Sequence, residues 1–516
     1  MSRTLGTGVV YLIGAGPGDP ALITVRGAAL LSRCDVVLYD ALAHPALLER
    51  LKPGAEARFV GKRGGDSFGG EEAQDAINRE LVTLARRGLV VGRLKGGDPL
   101  LFARGAEEAL FLAREGVRFE IVPGISSPVA VSAYAGIPLT HRDLASSVLF
   151  LTGTAREGAG PDGHDWRRLA TRAGTICVLM GMRRLAEIAE TLIAHGRAAE
   201  TPTAVVQWGA RPEQRVITAP LSEIAALALA EGFASPALVV IGEVVRLREE
   251  MRWFDNRPLF GKRVLVTRAK AQSSDIADAL RELGAEPVIL PTITIVPPKD
   301  GAPLARAARE LGSYDWVALT SANGVAALFD ELARAGLDAR AFGSARVAAI
   351  GPGTASALLA RGVRANLVPD EHVGEALARA ILAETKAPRV LLPRAEIARD
   401  ALPDAIRAAG GVIDVVAAYA SRGPSEDERA ALRDAMRAID VVTLTASSTV
   451  ENLVAALGAD ASAILAKTTV ASIGPVTTAT ATRLGVRVDV TATTYTIEAM
   501  LAALEAHFLD RAQQFR

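Results

Sequence analysis

The residues best suited to bind a small molecule are glycine-rich turns, which directly follow short apolar runs in the first part of the chain. The turns are Gly14–Asp19, Leu94–Pro99 and Val122–Ile125, and the segment Ala135–Arg142 closes the series. Because glycine has no Cβ, the backbone N–H and C=O groups of such turns can approach a ligand closely. Open α/β sheets bind ligands beyond the carboxyl ends of their strands, where these turns would lie. Several such turns in order therefore indicate a small-molecule site.

The first turn invites comparison with the dinucleotide-binding pattern G-x-G-x-x-G. In this chain Asp19 occupies the third glycine position, and Pro20 follows it. Asp followed by Pro is typical of a helix N-cap and first turn. The Asp19 carboxylate would also stand where a pyrophosphate would otherwise bind. The sequence therefore argues against a nicotinamide cofactor.

Strands and helices must hold these turns in place, and the sequence predicts both in alternation. The strand-like runs are Val9–Ile13, Asp35–Asp40, Arg58–Lys62, Leu89–Leu94, Phe119–Val122, Val148–Thr152, Thr175–Met180, Ala204–Trp208 and Ala237–Val245. Five of them precede Arg142 and four follow it. This alternation favours an α/β fold with two lobes and a ligand trough between them. The regular pattern ends around Arg248–Phe260, where we place a domain boundary.

The second half of the chain contains an internal repeat with an offset of about 125 residues. The repeated segments are Arg263–Ala269 with Arg389–Ala395, Asp315–Ser321 with Asp440–Ala446, and Val347–Thr354 with Val470–Thr477. This offset is far above the roughly 20–50 residues of a solenoid unit. We therefore predict a duplicated α/β domain with a cleft between the copies. The turns Asn323–Gly324, Gly351–Pro352 and Gly474–Pro475 could contact a ligand there or be purely structural.

Composition argues against several other classes of function. Lys plus Arg and Asp plus Glu number 58 each and aromatic residues make up only 4%, so nucleic acid is not an expected partner. Two cysteines, Cys34 and Cys177, and six scattered histidines suggest neither a disulfide framework nor a metal site. No signal pattern begins the chain, and no apolar run approaches the roughly 18 residues of a membrane span. We therefore expect a cytoplasmic protein.

Residues 1 to about 248 resemble uroporphyrinogen-III C-methyltransferase, of the precorrin methyltransferase family that uses S-adenosylmethionine. The motifs that carry the resemblance are Gly14–Asp19, Tyr39–Asp40, Val60–Arg63, Leu94–Pro99, Arg104–Glu108, Val122–Ser127, Ala133–Arg142, Met180–Gly181 and Ser235–Val244. Ala41 stands where the family usually has Arg, and Leu100–Ala103 replaces a more aromatic stretch that contains glycine. These departures concern the contacts with the tetrapyrrole.

This resemblance implies that two methyl groups pass from S-adenosylmethionine to uroporphyrinogen III, giving precorrin-2. It makes Asp40, at the end of a strand, the proton acceptor and Lys62 the donor, although Asp40 could instead cap a turn. The implied residues for binding S-adenosylmethionine are Pro17, Gly96, Gly97, Asp98, Leu101, Ser126, Ser127, Met180 and Gly209. The family also implies a homodimer through this half.

The substrate carries several carboxylates, and Arg binds carboxylates in a bidentate manner. Arg63, Arg104 and Arg142 lie in or beside the matched motifs and are our candidates for this contact. Glu107 could orient Arg104 from three residues away on a helix face.

Residues 261 to about 510 resemble uroporphyrinogen-III synthase. The carriers are Val264–Ala269, Tyr314–Val325, Ala349–Ala355, Val390–Ala395, Tyr419 and Ile473–Thr478. The resemblance implies closure of hydroxymethylbilane to uroporphyrinogen III, with inversion of the last pyrrole and loss of water. Tyr419 could assist departure of the hydroxyl as a weak acid. Thr320, Ser321, Ser447 and Ser448 could bind substrate carboxylates.

Together these observations predict a bifunctional α/β enzyme of porphyrin, sirohaem or cobalamin biosynthesis, without a metal, nucleic acid or membrane partner. Residues 1–248 would form a two-lobed methyltransferase domain and 249–260 a linker. Residues 261–516 would form a synthase with flavodoxin-like lobes, about 261–295 with 421–516 and 296–420. In the alternative, the methyltransferase acts on a later corrin intermediate and the second half is a non-catalytic, two-lobed ligand-binding module, since fold alone does not give function.

Overall fold

The computed structural model describes residues 8–61, 71–153, 165–268, 273–398 and 400–514. The chain divides into two compact units, Met1–Lys262 with Leu280–Glu286 and Arg263–Ala279 with Pro287–Arg516. Each unit is built from β-sheets flanked by helices, which confirms the predicted α/β class. No helix in the described residues is both long and apolar enough to cross a membrane.

The first sheet of the first unit positions the glycine turns. Its strands are β1 (Val9–Gly14), β2 (Val36–Tyr39), β3 (Glu56–Phe59), β4 (Val90–Lys95) and β5 (Arg118–Val122). They pair in parallel in the order β3-β2-β4-β1-β5, which places β4 at the centre. The helices are α1 (Val25–Leu31), α2 (Glu71–Arg86), α3 (Gly105–Arg114) and α4 (Ser127–Tyr134). Because all five strands are parallel, the loops after their carboxyl ends meet at one edge.

Helices cover both faces of this sheet. Successive residues of a strand point to opposite sides, so these strands present apolar side chains on each face. On one face Leu12, Leu38 and Val91 pack with apolar residues of α2 and α3. On the other face Ile13 and Leu94 pack with apolar residues of α1. Residues 93 and 95 of β4 share the first of these faces with Val91.

The second sheet of this unit is mixed. Its strands are β6 (Val148–Thr152), β7 (Thr175–Leu179), β8 (Pro202–Gln207), β9 (Arg215–Pro220) and β10 (Ala237–Ile241). They lie in the order β6-β7-β10-β8-β9, with β6 and β7 parallel and the other pairs antiparallel. The helices α5 (Trp166–Arg172), α6 (Leu185–Ala194) and α7 (Ile224–Ala230) accompany them.

The segment after β10 is packed within the first unit, although its sequence lacks a regular pattern. It contains the short helix α8 (Arg248–Met251), and Phe254 and Leu259 are buried. The buried Arg248 donates to the carbonyl oxygen of Ala135 and pairs with Asp255. The segment is therefore ordered by aromatic packing and by a buried guanidinium.

The second unit continues the chain with ten short strands and eleven helices among the described residues. The strands are β11 (Arg263–Val266), β12 (Glu286–Ile289), β13 (Thr294–Val296), β14 (Trp316–Leu319), β15 (Arg346–Ala349), β16 (Arg389–Ala395), β17 (Val412–Arg422), β18 (Val441–Leu444), β19 (Thr469–Ser472) and β20 (Val490–Thr491). The helices are α9 (Ser274–Glu282), α10 (Ala302–Arg309), α11 (Ala322–Arg334), α12 (Pro352–Ala360), α13 (Gly374–Glu384), α14 (Ala401–Ala408), α15 (Glu426–Ala435), α16 (Ser447–Leu457), α17 (Ala461–Leu465), α18 (Pro475–Arg483) and α19 (Ile497–Gln514).

These strands form two sheets of five, and each sheet draws strands from both copies of the internal repeat. One sheet has the order β12-β11-β18-β19-β20, and the other has the order β13-β17-β16-β14-β15. The strands β11 and β16 begin the two copies, and each lies beside one strand of the other copy, β18 and β14 respectively. The chain passes between the sheets after β12 and again after β17.

Candidate active sites

The glycine turns after β1, β4 and β5 contact one another through their backbones. Gly16 and Gly97 exchange two backbone hydrogen bonds, of 3.3 and 2.8 Å. A Cβ on Gly14 would lie 2.5 Å from the Cα of Gly124, and a Cβ on Gly124 would lie 2.3 Å from the carbonyl oxygen of Gly97. Only glycine fits at these approaches, so the turns form one assembly at the sheet edge.

Asp98 ties this assembly together. Its Oδ2 accepts a 3.0 Å hydrogen bond from the Gly124 N–H, and its Oδ1 accepts a 2.8 Å bond from the Leu100 N–H. Gly97 has a φ of +70°, and a Cβ there would lie 3.3 Å from Oγ of Ser127, the first residue of α4. Ser126 is the N-cap of the same helix. Asp98 and Gly97 therefore link the turn after β4 to the turn after β5 and to the start of α4.

The other residues expected at the methyl donor lie in loops that belong to both sheets of the first unit. A Cβ on Gly96 would lie 2.6 Å from the Cβ of Leu42, and a Cβ on Gly209 would lie 2.3 Å from Cγ1 of Val131 in α4. The β1 turn contains the half-buried Pro17, and a Cβ on its Gly18 would lie 2.8 Å from the carbonyl oxygen of Gly209. Leu101 lies half-buried between β4 and α3, and Met180 directly follows β7 in the second sheet.

Strained backbone is concentrated in the loops of this unit. Non-glycine residues with φ between 51° and 60° are Phe102, Arg104, Met180, Trp208 and Ala210. They follow β4, β7 and β8, and the side chains of Phe102 and Trp208 are exposed despite being large and apolar. Such conformations are costly and cluster at functional sites. In the described part of the second unit only Ala387 has a comparable φ.

Asp40 lies directly after β2 and has two roles in the structure. Its Oδ1 accepts a 3.1 Å hydrogen bond from the Leu42 N–H, which is a turn-capping contact. Its Oδ2 lies 3.7 Å from Nη2 of Arg93, and its side chain is 25% exposed. The carboxylate is thus paired with a cation and still accessible. Lys62 and Arg63 lie outside the described residues.

A buried ion cluster beside Asp40 was not predicted from the sequence. Oε1 of Glu108 on α3 accepts from Lys95 Nζ at 2.8 Å and lies 3.2 Å from Arg93 Nε. Burial and the Arg93 guanidinium lower the pKa of Lys95 despite this contact. Burial opposes ionisation of Glu108, but Arg93 and Lys95 outweigh it and lower the pKa of the carboxyl. One feature of the sequence could have indicated this cluster. Arg93 and Lys95 lie on one face of a strand that helices cover on both sides, so both cations must be buried.

The two other arginine candidates occupy different surroundings. Arg104 precedes α3, and its Nε and Nη2 donate to Oε2 of Glu107 at 3.0 and 2.7 Å. Arg142 is exposed in a turn that backbone hydrogen bonds between His141 and Ala145 close. The structure therefore joins Arg104 to Glu107.

In the second unit the structure brings Ser321 and Tyr419 together. Ser321 caps α11, where its Oγ accepts a 3.0 Å hydrogen bond from the Gly324 N–H. The same Oγ lies 3.0 Å from the hydroxyl oxygen of Tyr419. Tyr419 lies within β17 and pairs with Ala395 at an irregularity in the register. Thr320 precedes Ser321 at the end of β14.

Ser447 and Ser448 belong to the other sheet of this unit, at the start of α16. Ser447 Oγ accepts a 2.9 Å hydrogen bond from Thr480 on α18, and Ser448 is exposed. The repeat places Ala446 opposite Ser321, so this helix has no equivalent serine cap. The starts of α11 and α16 therefore have the same extended backbone at the N-cap but different side chains there. Among the described residues, no cluster of three or more His, Cys, Asp or Glu could hold a metal ion.

Comparison with known proteins assigns both halves to tetrapyrrole biosynthesis. The family model of tetrapyrrole (corrin/porphyrin) methylases matches residues 9–225, and that of uroporphyrinogen-III synthase HemD matches residues 274–502. A porphyrin biosynthesis protein HemD from Ruminiclostridium josui is 38% identical over 452 residues, 87% of this chain and 89% of that protein. The chain therefore belongs to the same family as this HemD protein. It is a bifunctional enzyme with a methylase domain and a synthase domain. Both resemblances predicted from the sequence are confirmed.

Two further relatives each match about half of this chain. A siroheme synthase of Pseudomonas fluorescens (strain Pf0-1) is 49% identical over 249 residues, 48% of this chain and 53% of that protein. The chain thus spans about half the length of that relative. The solved uroporphyrin-III C-methyltransferase from Thermus thermophilus, complexed with S-adenyl homocysteine, is 43% identical with a TM-score of 0.39. The match covers 46% of this chain and 100% of the solved chain.

Proposed function

We propose that this chain closes hydroxymethylbilane to uroporphyrinogen III and then methylates that product twice with S-adenosylmethionine, giving precorrin-2. The observation that carries the proposal is the presence of both family domains on one chain. The product of the proposed synthase reaction is the substrate of the proposed methyl transfer. The proposal includes a cytoplasmic location and a homodimer through the first unit, with sirohaem or cobalamin as the destination.

The assembly of glycine turns suits a bound S-adenosylmethionine. Gly97, Asp98 and Ser127 would form its floor, because a Cβ at Gly97 would fill the space beside Ser127. Leu101, Ser126, Pro17, Gly96, Gly209 and Met180 would surround it. When bound, this molecule supplies an electrophilic methyl group on a sulfonium. The turns serve to align the reacting atoms, which must come within about 3–3.5 Å of each other.

Methylation of a pyrrole carbon requires that a proton leave afterwards. In the proposal the Asp40 carboxylate accepts that proton, since it is paired with Arg93 and still partly exposed. Lys62 would donate a proton to the substrate, as the family resemblance implies. Arg63, Arg104 and Arg142 would bind the substrate carboxylates, and Glu107 would hold Arg104 in place.

The proposed synthase reaction needs a substrate that is folded correctly more than it needs strong catalysis, because the intermediate is reactive by itself. The Tyr419 hydroxyl would donate its proton to the departing hydroxyl group, so that the C–O bond breaks and water leaves. Ser321 would hold the Tyr419 hydroxyl in place. Thr320, Ser447 and Ser448, with the N–H groups at the starts of α11 and α16, would bind substrate carboxylates.

The full chain incubated with hydroxymethylbilane tests the proposal directly. Without S-adenosylmethionine we expect uroporphyrinogen III, and with it we expect precorrin-2, identified by mass and absorbance. Spontaneous closure gives the type I isomer, so the ratio of isomers reports on the protein. Type I product alone from a folded chain would contradict the synthase assignment and favour a binding module. Failure to methylate supplied uroporphyrinogen III would favour a later corrin substrate.

A further inference from the structure

Three charged side chains are buried beside the proposed proton acceptor. Arg93 and Lys95 on β4 and Glu108 on α3 are 4%, 2% and 0% exposed. Buried ion pairs seldom add stability, because the cost of removing charges from water offsets their attraction, and apolar residues often serve as well. Val91, on the same face of the same strand, shows that an apolar side chain fits this layer. The cluster therefore calls for a role other than stability.

Arg93 is the member of the cluster that reaches Asp40. Its Nε contacts Glu108, and its Nη1 donates to the carbonyl oxygens of Leu38 and Leu94 at 3.5 and 3.2 Å. These contacts leave Nη2 facing Oδ2 of Asp40 at 3.7 Å. Because Leu38 belongs to β2, which ends just before Asp40, the guanidinium also holds the strand that presents the carboxylate.

Glu108 is the counter-ion of the cluster. Its Oε1 accepts from Lys95 and Arg93 and also from Gln74 Nε2 at 3.0 Å, whereas its Oε2 has no hydrogen-bond partner in the described residues. With Asp40 included, the cluster contains two cations, Arg93 and Lys95, and two carboxylates, so its formal net charge is zero. The glutamate fixes Arg93 on one side while Asp40 occupies the other.

We propose that Arg93, held by Glu108, is a positioning residue for methyl transfer, which orients the Asp40 carboxylate and keeps it paired as the proton acceptor. This inference rests on the proposed function. It predicts that Arg93 acts through Asp40 and has no separate contact with substrate or donor. The effects of changing both residues should therefore not add.

A double-mutant cycle tests this prediction. The variants are Arg93→Gln, Asp40→Asn and the combination, measured with supplied uroporphyrinogen III. We expect Arg93→Gln to lower kcat by about 100-fold, with KM and the S-adenosylmethionine dissociation constant nearly unchanged. The combined variant should be no slower than Asp40→Asn alone. Arg93→Lys, which keeps a cation in the site, should recover part of the loss.

Arg58→Gln provides the matched control. Arg58 lies on β3 of the same sheet and pairs with Glu56 and Glu80. This variant should keep wild-type kcat. Should Arg93→Gln fail to fold, Glu108→Gln replaces it, because the glutamine keeps the shape of the side chain. The cycle then compares Glu108→Gln, Asp40→Asn and the combination of the two.

The outcomes separate the inference from the function on which it rests. A wild-type chain that does not methylate uroporphyrinogen III contradicts the proposed function. If the wild type is active but the losses from Arg93→Gln and Asp40→Asn multiply, Arg93 acts independently of Asp40 and the inference is wrong. A kcat for Arg93→Gln equal to that of Arg58→Gln overturns it as well.

Discussion

The two units present their candidate residues in contrasting ways. In the first unit the glycine turns are in close backbone contact, and several loop residues have strained φ angles. A buried ion cluster also lies beside Asp40. In the second unit, candidate serines lie at the starts of helices with ordinary backbone, and the contact between Ser321 and Tyr419 is a single hydrogen bond. This difference fits the proposed function, in which the first unit aligns two reactants accurately. In the same proposal the second unit mainly folds one flexible substrate that is reactive by itself.

The largest expected effect comes from Gly97→Val, which would place a side chain in the turn that contacts Ser127. We expect binding of S-adenosylmethionine to be lost in calorimetry, while synthase activity remains. Gly116→Val is the matched control, since Gly116 has a similar φ of +66° with nothing within 4 Å of its Cβ position. Both changes impose left-handed strain of about 1–2 kcal/mol. Equal affinities in the two variants would contradict the proposed donor site.

The next largest effect is expected from Asp40→Asn. Loss of a general base typically lowers kcat by about 10²–10⁴-fold, so supplied uroporphyrinogen III should be methylated very slowly. Donor binding and formation of the type III isomer should be unchanged, because the amide can still cap the turn at Leu42. Wild-type methylation by this variant would reduce Asp40 to a structural cap.

A smaller effect is expected from Tyr419→Phe in the second unit. The synthase rate should fall by about 10-fold, less than is typical when a general acid is lost, because the proposed substrate closes readily by itself. The product should remain type III, because substrate folding is unaffected. Tyr314→Phe is the control: its hydroxyl donates to Asp414, and burial with this contact raises the pKa of Tyr314 to about 12. An equal loss in both variants would argue against a chemical role for Tyr419.

The smallest effect is expected from Ser321→Ala. Removing a helix cap costs about 1 kcal/mol of the free energy of unfolding, and loss of the contact with Tyr419 should also slow the synthase about threefold. Ser425→Ala removes the cap of α15, a similar cap in the same unit. Denaturant unfolding should show similar losses of stability for both. Only Ser321→Ala should change the rate, and equal rates would mean that Ser321 is a cap alone.

The glycine turns are the part of the candidate site that the sequence predicts best, because the backbone geometry there admits only glycine. Glycines at the ends of β1, β4 and β5 are visible in the sequence because no other residue permits such close contacts. Arg93 and Lys95 were missed as a cluster, since their partner Glu108 lies on a different element and only the packing of α3 brings it near. Pairings between distant elements are not encoded in local pattern.

The segment after β10 shows a second limit. Its lack of periodicity predicts a linker, yet Trp253 donates to the Ala133 carbonyl at 2.9 Å and Phe254 packs on Tyr134. Irregular segments can bury aromatic side chains without any repeating pattern. In the second unit the sequence shows the repeat itself, but the sheet that each strand joins depends on strand pairing across more than a hundred residues.

The exchange of β11 and β16 between sheets is an internal domain swap. Each repeat copy contributes its first two strands to a sheet completed by the other copy, as two subunits do in a swapped dimer. These strands are β11 and β12 of the first copy and β16 and β17 of the second. A fragment that ends before β16 would leave β14 without its partner on one side, and a fragment that begins there would leave β18 without β11. Each copy alone therefore lacks strands that its sheets need. We expect that neither copy folds as a single-repeat protein, and that the two fragments together reassemble the fold by complementation.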